Sequence, residues 1–165
     1  WRRQNVDLLI SNVYKTVKST KKKVQFGISP AGNIDNLYLS WSYYCDVKKW
    51  MNSNKYIDYI CPQIYWTFTN KTCPFKKTCL RWAKLPRNKN VKLYIGLAGY
   101  RAGLSKSQAK AVSDIGWSKS NTILKREVLY GRSTKKVSGY VLFSYADLSR
   151  KAASKEIANL KKIFK

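Results

Sequence analysis

Four times along this chain, a stretch with apolar residues at helical spacing alternates with an apolar run of strand length, and that alternation constrains the fold more than any other feature. Val6, Leu9, Ile10, Val13 and Val17 give an amphipathic helix over residues 5–19. Val24-Gln25-Phe26-Gly27-Ile28 reads as a short strand, stopped by Ser29-Pro30 and Gly32. Tyr44, Val47 and Met51 mark a second helix, and Ile57 to Trp66 is an almost unbroken apolar strand carrying Pro62 and Gln63. Pro74 suits the first turn of a helix with a Phe75, Cys79 and Trp82 stripe. The strand Val91–Ala98 follows, then a long loop, then a helix face of Ile123, Leu124 and Val128. Gly139–Tyr145 is the fourth strand, and Ile157, Leu160 and Phe164 predict a closing helix. Such alternation implies an α/β fold with parallel strands and right-handed crossovers.

Four βα units suit either a small open sheet or half of a closed barrel. No strand end carries the glycine-rich phosphate loop expected of a nucleotide-binding sheet. Instead, polar and aromatic residues gather at each strand's C-terminal end, where barrels hold their active sites. They are Ser29, then Gln63, Tyr65 and Trp66, then Tyr100 and Arg101, then Ser144 and Tyr145. The half-barrel is therefore the expected architecture, with all 165 residues forming one partial domain and no linker between parts.

Charge is lopsided, with 33 Lys+Arg against 8 Asp+Glu for a net of +25. Such a field attracts polyanions, although lysines scattered over outer helices would give the same total. Zinc-finger spacing, RNP-type aromatic motifs and basic-region heptads are absent, so no specific nucleic-acid partner is expected. No apolar run is long enough for a transmembrane segment, and Trp1-Arg2-Arg3-Gln4-Asn5 does not read as a leader. With no histidine and no CxxC pair, neither a metal nor any other cofactor is expected. Cys61 reads as a small core residue, and the spacing of Cys73 and Cys79 leaves a disulfide open.

Five segments carry a family resemblance: Trp1-Arg2-Arg3-x-Asn5-Val6, Phe26-Gly27-Ile28-Ser29-Pro30-x-Gly32, Ile57-Asp58-Tyr59-Ile60-Cys61-Pro62-Gln63-Ile64-Tyr65-Trp66, Leu93-Tyr94-Ile95-Gly96-Leu97-Ala98-x-Tyr100-Arg101 and Gly139-Tyr140-Val141-Leu142-Phe143-Ser144-Tyr145. In this order they resemble the glycosyl-hydrolase-like family 10 domain, over nearly the whole chain. The resemblance implies the C-terminal half of a TIM-type (β/α)₈ barrel, from an extracellular or cell-surface bacterial protein acting on polysaccharide or cell-wall glycan. It also implies that the catalytic aspartates belong to the preceding half. Asn70-Lys71-Thr72-Cys73 and the stretch around Leu85-Pro86-Arg87 depart from the family's usual loops.

Glycoside hydrolysis ordinarily takes two carboxyl groups, roughly 5 Å apart for retention or 6.5–9.5 Å for inversion. Asp7, Asp46, Glu127 and Glu156 fall on helices of the outer ring, Asp58 at a strand start, and Asp35 and Asp114 in loops. Asp147 alone follows a strand's C-terminal end, where Asp also commonly starts a turn. It is the weak catalytic candidate. Gln63, Tyr65 and Trp66 are the substrate-binding candidates, since aromatic faces stack on pyranose rings and an amide bonds adjacent hydroxyls. The alternative is that both rings merely pack the barrel mouth. Arg101 suits a carboxylate on an acidic sugar or on the other half-barrel, or stands in solvent. Tyr100 and Tyr145 read as pocket walls, and Ser29 as a ligand contact or a turn residue. Trp50, Trp82 and Trp117 read as helix-packing residues.

The expected function is the carbohydrate-binding half of a glycoside hydrolase, inactive alone. The alternative is a non-catalytic basic module binding anionic cell-wall polymer. Expected partners are glycan and either an N-terminal half-barrel or a second copy, recruited through open sheet edges.

Overall fold

A computed structural model describes residues 1–39 and 43–164. The elements run α1 (Arg2–Thr20), β1 (Gly27–Ile28), α2 (Ile34–Tyr38), α3 (Val47–Met51), β2 (Tyr59–Ile60), α4 (Phe75–Lys84), β3 (Lys92–Leu97), α5 (Lys106–Ala111), α6 (Ile123–Ser133), β4 (Gly139–Leu142), α7 (Tyr145–Leu148) and α8 (Ser154–Lys161). The four strands form one sheet in the order β1-β2-β3-β4, and every pairing is parallel. Fold class and sequential strand order are as the alternation predicts.

Strand side chains alternate between faces, and the helices cover one of them. Ile60, Leu93, Ile95 and Leu97 point into that layer and are fully buried against Trp50, Phe75, Trp82, Leu124 and Val128. Gly131 of α6 admits a strand side chain there. A Cβ at Gly131 would lie 2.3 Å from the Tyr140 hydroxyl, which donates to the Val128 carbonyl at 2.8 Å. The opposite face carries Tyr59 and Tyr94, with ring centroids 5.3 Å apart, and Val141. Val141 is 49% exposed and Phe143, just beyond β4, 57%.

Several elements differ from the sequence reading. The first, second and fourth strands are shorter, and β2 ends before Pro62, which has no N–H for the ladder. Single bridges at Ala31–Gln63 and Gln63–Gly96 continue the pairing past it. The long loop after β3 contains α5, started by a capping box in which Ser105 and Gln108 bond each other's backbone N–H. The segment read as the end of the fourth strand turns into α7 at Tyr145. Phe164 lies beyond α8, exposed under the Arg132 guanidinium.

Leu9, placed on the buried stripe of α1, is 60% exposed. Asp7 sets the helix rotation instead, accepting from Trp50 Nε1 at 2.6 Å and Lys49 Nζ at 2.7 Å. The helix acids Asp7, Glu127 and Glu156 are buried rather than presented on an outer ring. The Glu156 carboxylate accepts the Leu124 N–H at 2.7 Å, which caps the start of α6 from 32 residues away. Neither oxygen of Glu127 has a hydrogen-bond partner among the described residues. All four cysteine thiols are free, so Cys73 and Cys79 form no disulfide. Among the described residues, no helix is long and apolar enough to cross a membrane.

Candidate functional site

The bridges at Gln63 place the segment after β2 between the segment after β1 and strand β3, level with the strands' C-terminal ends. A concavity of about 190 Å³ opens there, lined by Ala31, Gly32, Gln63, Tyr65, Trp66 and Arg101. Two backbones must approach closely to form its floor. A Cβ at Gly32 would lie 2.3 Å from the Gln63 carbonyl oxygen and 2.8 Å from the Trp66 ring. The Gly32 carbonyl also accepts from the buried Trp82 indole at 2.7 Å.

Gln63 Nε2 donates to the Ser29 carbonyl at 3.1 Å and to its hydroxyl at 3.4 Å. Ser29 Oγ in turn donates to the Cys61 carbonyl at 2.9 Å. Ser29 thus orients the amide and does not line the cavity.

Arg101 sits on a 3₁₀ turn, Gly99–Arg101, directly after β3. Its Nη1 donates to the Tyr65 carbonyl at 2.6 Å, and its guanidinium lies 5.4 Å from the Tyr100 ring centroid. Its Nε is buried without a hydrogen-bond partner among the described residues. Tyr100 meets Tyr65 edge-on at 5.6 Å. Phe143 completes the group, stacking on Tyr65 at 6.4 Å with an interplanar angle of 19°. Arg150 braces this corner, donating to the Tyr100 carbonyl at 2.7 Å and the Ala102 carbonyl at 3.2 Å.

Of the residues singled out by sequence, Gln63, Tyr65, Trp66 and Arg101 line one cavity, with Tyr100 and Ser29 behind it. Tyr145 does not join them; it opens α7 and is 89% exposed. Asp147 belongs to a capping box, accepting from Ser144 Oγ at 2.7 Å and lying 3.4 Å from Arg150 Nε. Those contacts, the Ser144 bond first, hold its carboxyl below the usual range.

Two contributors were overlooked in the sequence. Alternation along β4 puts Phe143 on the face of Val141, a signal that a strand end at Ser144 and Tyr145 conceals. Buried Asp114 accepts from the Thr67 N–H at 2.8 Å and the Thr67 hydroxyl at 2.7 Å, which pins the loop after Trp66. Gly116, where a Cβ would lie 2.2 Å from Thr67 Oγ1, is the one local hint of that contact.

Among the described residues, no carboxylate lines the cavity. Asp35 is held by Arg81 at 2.6 Å, and the hydrogen bond from that arginine lowers its pKa. Burial, reinforced by Glu156 and Asp114, pushes the Glu127 carboxyl well above the ordinary range. Glu156 is raised to about 7 by burial, against the opposing Leu124 and Ile123 N–H bonds. Among the described residues, no group of three His, Cys, Asp or Glu could hold a metal ion.

Comparison with known proteins adds a family to this geometry. Residues 1–114 match the profile of the family described as glycosyl hydrolase-like 10. The chain belongs to that family. It is 30% identical to "Glycosyl hydrolase DigH" of Escherichia coli and of Shigella flexneri, across 97% of this chain and 38% of each relative. It is likewise 30% identical to "Glycosyl hydrolase YngK" of Bacillus subtilis, across 91% of this chain and 30% of the relative. This glycosyl hydrolase-like 10 chain therefore spans about a third of the length of these relatives. The matched region includes Ala31, Gly32, Gln63, Tyr65, Trp66 and Arg101, every residue named above that lines or floors the cavity.

Proposed function

We propose that this chain is the C-terminal half of a TIM-type (β/α)₈ barrel, and that its cavity is a carbohydrate subsite of a glycoside hydrolase acting on bacterial polysaccharide or cell-wall glycan. The observation that carries the reading is the composition of the cavity: two aromatic rings, an anchored amide and a guanidinium at adjacent strand ends, with no carboxylate among them. Rings bind the apolar faces of pyranoses, while amide and guanidinium bond hydroxyl or carboxylate oxygens. This is a surface that holds sugar and has no acid–base pair to cleave it.

Sequential parallel strands, helices on one face and an exposed opposite face support the half-barrel, because barrel interiors are packed by layers drawn from all eight strands. The catalytic carboxylates then come from an N-terminal half, and the chain alone is inactive. Localisation outside the cell or at its surface follows from a cell-wall substrate. Tyr145, exposed at the start of α7 and outside the cavity lining, serves in this scheme only as an outlying contact for a longer glycan.

Calorimetry with cell-wall glycan oligosaccharides tests the binding role. Trp66→Ala should weaken binding by on the order of 1 kcal/mol or more, the loss expected for a stacked ring. Unchanged affinity would remove Trp66 from the site. Glycan cleavage by the chain alone would overturn the assignment of catalysis to another segment.

A further inference from the structure

The opposite end of the sheet carries a different surface. In a parallel βα array, every helix-to-strand loop emerges on one side, here residues 21–26, 52–58, 85–91 and 134–138. Hydrogen bonds tie these segments edge to edge. The Phe26 N–H donates to Asp58 Oδ2 at 2.7 Å, the Asn88 N–H to the Met51 carbonyl at 2.9 Å, and Arg87 Nη2 to the Lys136 carbonyl at 2.8 Å. Each loop brings cations to this end: Lys21 to Lys23, then Lys55, then Arg87 with Lys89, then Lys135 with Lys136. Asp58 is the acid among them, and Lys18 already pairs with it at 2.6 Å.

Cations in a helix's last turn complement its dipole, which accounts for Lys18, Lys84, Arg132 and Lys161. The loop lysines lie outside those turns and have no such role. Arg87 marks a ligand more directly. It borders a groove of about 470 Å³ that Lys84, Thr134 and Lys136 also line. Its Nη1 is buried with no hydrogen-bond partner among the described residues, and burial lowers its pKa. No described residue satisfies that N–H, and an acceptor seated in the groove beside it would.

We propose that this loop end docks a linear phosphate polymer, with Arg87 as its most buried anchor. Flexible lysines contact phosphates as point charges, and the guanidinium supplies a directional fork. Single-stranded nucleic acid would call for aromatic platforms. Among the described residues, Phe164 is the exposed aromatic of this end, and the Arg132 guanidinium covers it at 4.9 Å. The proposal is independent of the sugar cavity, which lies at the other end of the strands.

The probe is long-chain inorganic polyphosphate, with binding to the full chain read by fluorescence anisotropy across a salt series. The triple variant Lys89→Gln/Lys135→Gln/Lys136→Gln should bind about ten-fold more weakly, with a salt slope lower by about two to three. Removing equal charge from the other end, with Lys106→Gln/Lys110→Gln/Lys119→Gln, should change affinity by no more than about two-fold. Arg87→Lys keeps the charge but not the fork, and should weaken binding about three-fold. Trp66→Ala should leave polyphosphate binding unchanged, which keeps this test separate from the cavity's. Equal losses from the two triple variants would overturn the proposal in favour of diffuse charge. Tighter binding of DNA or of anionic-lipid vesicles at equal charge concentration would overturn it in favour of those partners.

Discussion

The two faces of the sheet differ more than their sequences do. Ile60, Leu93, Ile95 and Leu97 vanish under helices, while Tyr59, Tyr94, Val141 and Phe143 lie on a face that no helix covers. Both sets are apolar or aromatic, and they alternate along the same strands. An apolar strand residue thus does not specify its own environment; burial depends on which side receives a partner layer. Among the described residues, β1 and β4 are the edges of this sheet, and unpaired edges offer N–H and C=O groups to a partner.

The sharpest test of this contrast is paired truncation. Trp82→Ala, on the covered side, should cost about 3–5 kcal/mol in denaturant unfolding. Phe143→Ala should cost less than about 1 kcal/mol, because its ring is largely in water already. Similar costs would mean that Phe143 is covered in solution.

A second test concerns the polar exception within the covered layer. Glu127 and Glu156 have folded-state pKa values above their unfolded ones. The folded state therefore binds more protons, and stability is fully present below the ordinary glutamate value. It is lost as pH rises above the ordinary glutamate value, through about 7 for Glu156, while burial raises Glu127 in the same direction. Glu127→Gln should flatten that decline and stabilise the chain at pH 8 by about 1–3 kcal/mol, read from urea midpoints across pH. A variant no more stable than the parent at pH 8 would mean that Glu127 finds a partner in solution.

The smallest stability effect, but a diagnostic one, belongs to the open face. Val141→Lys should leave monomer stability within about 0.5 kcal/mol and reduce the self-association expected of the isolated chain. Light scattering over a concentration series measures it. An unchanged apparent mass would place the self-contact at the strand edges instead.

Much of the site could be read from sequence because strand ends announce themselves: Gln63, Tyr65 and Trp66 interrupt or close an apolar run, and Arg101 follows one. The convergence of four of these on one cavity rests on bridges across Pro62 and on the close approach at Gly32. Tyr145 reads as the end of a strand, whereas it opens α7, because a strand and the helix after it look continuous where aromatic residues span the junction.

Local periodicity is a property of neighbouring residues, so the sequence by itself determined the alternation of the four strands with the longer helices, the parallel topology and the apolar stripes of most of those helices. It could not determine what those stripes meet. Asp7 turns α1 through a bond to Trp50, 43 residues away, Asp114 holds Thr67 across 47 residues, and the cations of four loops share one end because the strands run parallel. Tertiary structure decided these features, because hydrogen bonding, burial and electrostatic fields act over distance in space, whatever the separation along the chain.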